Sequence, residues 1–234
     1  APLLSDKTQE PPVVSVADDG SVVVPLLGGH RGANRLARSI AEALDSTAAV
    51  TTAGDVSLGV SLDEPPEGWA LANPQHAKGA MAALLSGGGA ALSGAEAAQA
   101  TWIGDMPAGD TVKLSCDMMW QSDLGPNHLH FAPKRVTIGV GCARNCPPQE
   151  LADLVHTALN EVGVCDAAVH SINTISLKAD EPAMLELAQQ LNVPLRLFSA
   201  EELEAEAPRL ATPSEVVFAE VGCHGVSEGA ALAQ

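Results

Sequence analysis

Lys178-Ala179-Asp180-Glu181-Pro182 sets a cation and two acids in consecutive positions ahead of a helix. Asp180 suits a helix cap and Pro182 a first-turn position, and acids there complement the helix dipole. Lys178 has no such local use, because a cation at that end opposes the dipole. It is a candidate for engaging a substrate carboxylate or a developing oxyanion, with Glu181 as a candidate water-activating carboxylate. A second stretch, Gly28-Gly29-His30-Arg31-Gly32-Ala33-Asn34-Arg35, bares the backbone around an imidazole whose ordinary pKa lies near 6.5. Arg31, Arg35 and Arg38 gather 3 of the chain's 12 basic residues there. That concentration points to a polycarboxylate ligand.

Other motifs carry less. Gly139-Val140-Gly141-Cys142 begins like a dinucleotide loop, but Ala143, Arg144 and Asn145 follow where a third glycine would fall. What survives is a choice between a tight turn and an anion site at a helix N-terminus. Gly225-Val226-Ser227-Glu228-Gly229 matches the nucleophile elbow, which needs an acid and a histidine later in the chain. Only 5 residues follow Gly229, so Ser227 is expected to cap the last helix. His128 and His130 share one face of any strand, and Cys142 and Cys146 stand four apart, yet neither spacing is a strong zinc signature. Solvent-facing histidines, buried thiols and no protein metal site are expected.

The elements that position these residues are strands alternating with helices. Arg135–Val140 leads to a helix over Pro148–Val162, and Leu195–Phe198 to one over Ala200–Glu206. Val216–Val221 reads as a further strand, followed by Gly222-Cys223-His224-Gly225 and a short helix. A third helix spans Pro182–Leu191. Alternation of this kind implies a parallel sheet, whose ligands bind where loops leave the carboxyl ends of the strands. Leu151, Leu154, Val155, Ala158, Leu159 and Val162 form the inner stripe of the Pro148 helix. Upstream, Val13–Val16 and Ser21–Leu27 form a hairpin across Ala17-Asp18-Asp19-Gly20. Asn34 caps a helix from Arg35 to Leu44, with Leu36, Ala37, Ile40, Ala41 and Leu44 as its apolar stripe, and Ala48–Thr52 is a short strand. The expected fold is α/β: two α/β lobes with mostly parallel sheets, residues 1–60 and 133–234, joined by a small irregular middle region, 61–132. A helix over Pro74–Leu85 belongs to that middle region.

A net charge of −17 excludes nucleic-acid and anionic-membrane surfaces as partners. No apolar run reaches the roughly 20 residues of a membrane span. The 5 cysteines are an odd number without a CxxC pair, which suits reduced thiols in a cytoplasm. Ala1-Pro2-Leu3-Leu4 opens without a Met or a capped element, which predicts missing upstream sequence.

These strings resemble a known family. Leu26-Leu27-Gly28-Gly29-His30-Arg31-Gly32-Ala33-Asn34-Arg35-Leu36-Ala37 and Val50-Thr51-Thr52-Ala53-Gly54-Asp55 are similar to the N-terminal domain of the cobalamin-biosynthesis protein CbiG, cobalt-precorrin-5A hydrolase. Ile138–Cys142, Ile175–Glu181, Val193–Leu203 and Pro213–Leu232 resemble its C-terminal domain, to which the stand-alone protein CobE corresponds. The glycine loop departs from the SGHxGGAN form common in the family, being one residue shorter and carrying an arginine. The segment that usually precedes Ala1 is absent, which predicts a first domain truncated at its start.

The resemblance implies a cobalt-containing tetrapyrrole substrate rich in acetate and propionate groups, and a δ-lactone opened by water with release of acetaldehyde. The cobalt is carried by the substrate, so no cofactor is implied. Lys178, Glu181 and His30 are then the expected catalytic residues. Gly28, Gly29, Arg31, Asn34, Arg35, Gly141, Cys142, Asp180, Gly222 and His224 are the expected substrate-binding residues. Other cobalamin-pathway enzymes are candidate partners. The alternative reading is a non-catalytic, CobE-like protein that binds or hands over corrinoid intermediates.

Overall fold

The computed structural model describes residues 11–29, 32–50, 58–103, 105–122 and 124–233. The chain forms two compact units. The first gathers the described residues of Ala1–Glu67, Asn73–Cys116 and Asp123–His130; the second gathers those of Gly68–Ala72, Asp117–Ser122 and Phe131–Gln234.

In the first unit β1 (Val13–Val16) and β2 (Val22–Leu27) pair antiparallel, as the Asp-Gly turn predicts. The Gly20 N–H donates to the Ala17 carbonyl at 2.8 Å, and Gly20 takes a φ of 70° that favours glycine. β3 (Thr47–Ala48) adds in parallel to β2; residues 51–57, into which the expected strand ran, lie outside the described residues. Helix α1 (Ala33–Ala43) starts two residues earlier than expected, with Gly32 at its cap position and Asn34 buried inside its first turn. Asn34 therefore does not cap. Ala37 and Ala41 pack on Val23, while Leu36 and Leu44, expected in the same stripe, are exposed. Within 61–132, a 3-10 turn at Pro74–His76 runs into α2 (Ala77–Leu85). β4 (Trp69–Leu71) falls in the second unit; β5 (Ala90–Ser93) and β6 (Val112–Cys116) pair in parallel in the first. β7 (His128–Pro133) begins beside β6 and ends in the second unit, paired antiparallel with β4.

The second unit holds the parallel sheet that the alternation predicts, in the order β10-β9-β8: β8 (Val136–Gly139), β9 (Val169–Ile175) and β10 (Leu195–Phe198). Ile172 packs with Leu151, Val155 and Leu159 of α3 (Pro148–Glu161) and with Met184 and Leu187 of α4 (Pro182–Gln190). Ile175, an odd number of positions on, points to the other face. There it meets Leu203 of α5 (Ala200–Glu204) and Ala230 of α7 (Val226–Leu232). Helices thus cover both faces, as parallel sheets require.

The expected strand at Val216–Val221 is instead helix α6 (Glu215–Val221). The Ser214 hydroxyl accepts the Val217 N–H at its start, and Gly222 ends it with a φ of 79°. Ser227 does not cap α7, whose cap position is Gly225. Its carbonyl instead lies against β8: a Cβ on Gly139 would stand 1.7 Å from the Ser227 oxygen, so only glycine fits there.

Candidate functional site

The loops leaving the carboxyl ends of β8 and β9 meet around one carboxylate. Glu181 stands at the cap position of α4, with its side chain 1% exposed. One of its oxygens accepts the Asn145 N–H at 3.0 Å; the other lies 3.5 Å from Lys178 Nζ and 3.7 Å from Arg144 Nη1. Asn145 reaches it by adopting a φ of 60°, which asparagine tolerates better than most residues. Arg144 also donates to the Asp180 carboxylate at 2.6 Å and to the Leu177 carbonyl. Asp180 therefore spends its carboxylate on Arg144 and caps nothing. The guanidinium holds that carboxyl below its usual range, and Asp180 in turn raises Arg144.

Lys178 is mostly buried and points back to the carboxylate three residues on. Its placement against the dipole is thus explained by an acid that sequence alone had assigned to water activation. Cys142 is half-buried beside this group; burial first, then Cys146 and Glu181, push its thiol up. Gly141, by contrast, is open, with nothing within 4 Å of where a Cβ would stand.

Gly222 and His224 lie farther along the chain, after α6. Gly222 faces Ala200, at the start of the helix that leaves β10. The His224 Nδ1 lies 2.9 Å from the Glu204 carboxylate, its N–H donates to the same group, and its ring stacks on Phe218 at 4.5 Å. Glu204, with Glu215 adding less, raises His224 above the usual histidine value; His224 lowers Glu204 in return. The shift favours the charged, donating form of the ring, which suits an anionic group.

In the first unit, a Cβ on Gly28 would stand 2.9 Å from the Pro11 carbonyl oxygen, and one on Gly29 would stand 3.3 Å from Asn34 Oδ1. Asn34 Nδ2 is buried with no hydrogen-bond partner among the described residues. Arg35 and Arg38 line a pocket of about 340 Å³ with Glu64, Glu67 and Trp102. His30 and Arg31 lie outside the described residues.

His130 is fully buried, whereas His128 is partly exposed, and both rings approach Ser115 Oγ at 2.9 Å. They lie in the first unit, whereas Cys142 and Cys146 belong to the second. Among the described residues no three His, Cys, Asp or Glu side chains gather as metal ligands. No described helix is long and apolar enough to cross a membrane.

Sequence reasoning missed Arg144, Asn145 and Ser115. Arg144 sits in a loop already singled out for its glycine and cysteine, but its nearer acid, Asp180, lies 36 positions on. Ser115 carried no signal, being an ordinary residue of an apolar strand.

A three-stranded parallel sheet with helices on both faces and charged loops at its strand ends is an α/β unit, a class that binds ligands at those ends. Comparison with known proteins narrows it. The model described as cobalamin synthesis G C-terminus matches residues 136–234, and that described as cobalamin synthesis G N-terminal matches residues 1–55. A cobalt-precorrin-5A hydrolase of Priestia megaterium is 28% identical over 99% of this chain and 68% of its own length. Another, of Salmonella typhimurium, is 31% identical over 87% of this chain and 63% of its own. Protein CobE of Sinorhizobium sp is 46% identical over 42% of this chain and 63% of its own. The chain spans about two thirds of the length of these relatives. It belongs to the cobalamin synthesis G family. Because the hydrolases align along most of the chain and CobE along less than half, the hydrolase reading is supported over the CobE-like one.

Proposed function

We propose that the chain hydrolyses the δ-lactone of cobalt-precorrin-5A, giving cobalt-precorrin-5B and acetaldehyde. The observation that carries this reading is the rim itself: in a protein of net charge −17, Lys178 and Arg144 are fixed beside one buried acid at the strand ends. Cations held in place suit a ligand edged with carboxylates. Arg144, 53% exposed, offers donors outward. His224, shifted toward its charged form by Glu204, suits a further carboxylate.

The reaction adds water to the lactone carbonyl and breaks the acyl C–O bond. The freed alkoxide then becomes the carbonyl of acetaldehyde as its C–C bond to the macrocycle breaks, and the electron pair stays on the ring. Lys178 is assigned to a substrate carboxylate, and Glu181 to holding Lys178 and the Asn145 turn in place. The cobalt arrives inside the substrate, no resident cofactor is assigned, and the reaction is placed in the cytoplasm among the other enzymes of the pathway.

Acetaldehyde release from cobalt-precorrin-5A tests this. Lys178→Ala is expected to cut release about 10-fold to 10²-fold, the scale of losing one charge-assisted hydrogen bond to a substrate carboxylate, while Ser227→Ala changes it little. Saturable corrinoid binding without acetaldehyde would establish the CobE-like reading instead. Loss of activity in Ser227→Ala with Lys178→Ala intact would overturn the assignment.

A further inference from the structure

Opening a lactone calls for a proton acceptor near neutral pH, and the second unit's rim commits its described candidates elsewhere. Glu181 is ion-paired with Lys178 and Arg144, and His224 Nδ1 is engaged by the Glu204 carboxylate at 2.9 Å. The first unit holds a histidine in the opposite condition. His128 opens β7 and lines a pocket of about 400 Å³ with Asp110, Lys113 and Asn127.

Its orientation is over-determined. Asn73 Nδ2 donates to the His128 carbonyl at 2.7 Å, and Asn73 Oδ1 accepts the His130 N–H at 2.9 Å. The His128 Nε2 lies 2.9 Å from Ser115 Oγ, which is also 2.9 Å from His130 Nδ1 and 3.4 Å from the Leu129 carbonyl. A hydroxyl has one proton. When Ser115 gives it to His130 or to Leu129, its oxygen accepts from His128 Nε2–H, and the lone pair of His128 falls on Nδ1. That atom has no hydrogen-bond partner among the described residues. Around the ring stand Ser115 and Lys113 from β6, His130 from β7, His76 from the turn before α2, and Asp110 across the pocket. Burial first, then Lys113 and His76, hold His128 below the usual histidine value, so it is neutral and able to accept a proton at pH 7.

We infer that His128 is the general base of lactone opening, with Lys113 the cation that meets the carbonyl oxygen; this rests on the hydrolase reading. Water attacks the carbonyl carbon, its proton passes to Nδ1, and the carbonyl electron pair moves to oxygen beside Lys113 Nζ. The imidazolium keeps its Nε2–H on Ser115. As the acyl C–O bond breaks, the imidazolium returns the proton to the departing oxygen, and taking it back from the alcohol restores the alkoxide that collapses to acetaldehyde. Ser115 is a positioning residue, since its hydroxyl is buried and reaches the reaction only through His128.

The test uses the full chain, measuring acetaldehyde release across pH, corrinoid binding by absorbance, and thermal melting. His128→Gln is expected to lower kcat about 10²-fold or more with corrinoid binding retained. Wild-type kcat/KM is expected to fall on the acid side with a midpoint below about 6.5. Ser115→Ala removes the acceptor that stabilises the imidazolium, so it should move that midpoint lower still, which a merely structural residue would not do. Turnover of His128→Gln within about threefold of an active wild type overturns the inference. If His128→Gln melts early, the NMR titration of His128 in the wild type decides: a midpoint above about 7 overturns it. A wild type that binds corrinoid and releases no acetaldehyde removes the hydrolase reading and the base with it.

Discussion

In the first unit Asn73, Ser115, His128 and His130 satisfy one another through neutral hydrogen bonds between strands and a turn. At the ends of β8 and β9, Arg144, Lys178, Asp180 and Glu181 are satisfied by opposite charge. The two arrangements bury polar side chains at different cost and for different use. A neutral network can leave a lone pair uncommitted, because no member must be matched by a counter-charge, and a proton can enter it. A charged cluster closes on itself. Removing the Glu181 carboxylate would leave Lys178 mostly buried without its partner, so the cluster holds its shape as a unit. The difference suggests that chemistry and anchoring are assigned to different polar clusters.

The comparison can be broken from its charged side first. Glu181→Ala leaves Lys178 without its acid and the Asn145 N–H without its acceptor. Breaking a buried pair costs roughly 3–5 kcal/mol, and about 3 is expected here because Arg144 keeps Asp180 and is half exposed. Denaturant unfolding should show it, and a loss under about 1 kcal/mol would mean the cluster is an ordinary surface pair.

Ser115→Ala is the matched change on the neutral side. It strips a partner from two imidazole nitrogens, for an expected loss of about 1–3 kcal/mol by the same measurement. A loss equal to that of Glu181→Ala would erase the distinction between the networks.

The smallest effect concerns His224, which sharpens the contrast with His128. Its folded pKa is raised by Glu204, so its contribution to stability is fully present below the unfolded value near 6.5 and is lost as pH rises through the folded value. NMR titration should place His224 above His128, and Glu204→Gln should bring His224 down. Equal midpoints for the two histidines in the wild type would contradict the opposite environments described for them.

Local features were legible from residue order alone. Ser199 followed three residues later by Glu202 spells a capping box, and both of its reciprocal hydrogen bonds are present. The strands at Val136–Gly139 and Leu195–Phe198 and the helices of Pro148 and Pro182 follow from apolar runs and from prolines at first-turn positions. Period-two alternation placed His128 and His130 on one face before any partner was known. The β-branched run at Val216 misled because strand preference reflects packing on a sheet, and among the described residues no strand pairs with this run. The Ser214 cap and the left-handed Gly222 settle it as a helix instead. The inner stripe of α3 divided for a related reason: Leu151, Val155 and Leu159 reach the sheet. Leu154 and Val162, 64% and 62% exposed, line a groove beside β8.

What residue order could not reveal is which charges meet. Lys178 and Glu181 stand three apart and could be paired by eye. Arg144 and Asn145 join them only because parallel strands bring successive loops to one rim, across 36 positions of chain. Ser115 reaches two histidines through the neighbouring strand in the same way. Spacing within an element follows from helix and strand geometry. Contact between elements depends on register and on the face each strand turns inward, which the packing of the whole unit sets.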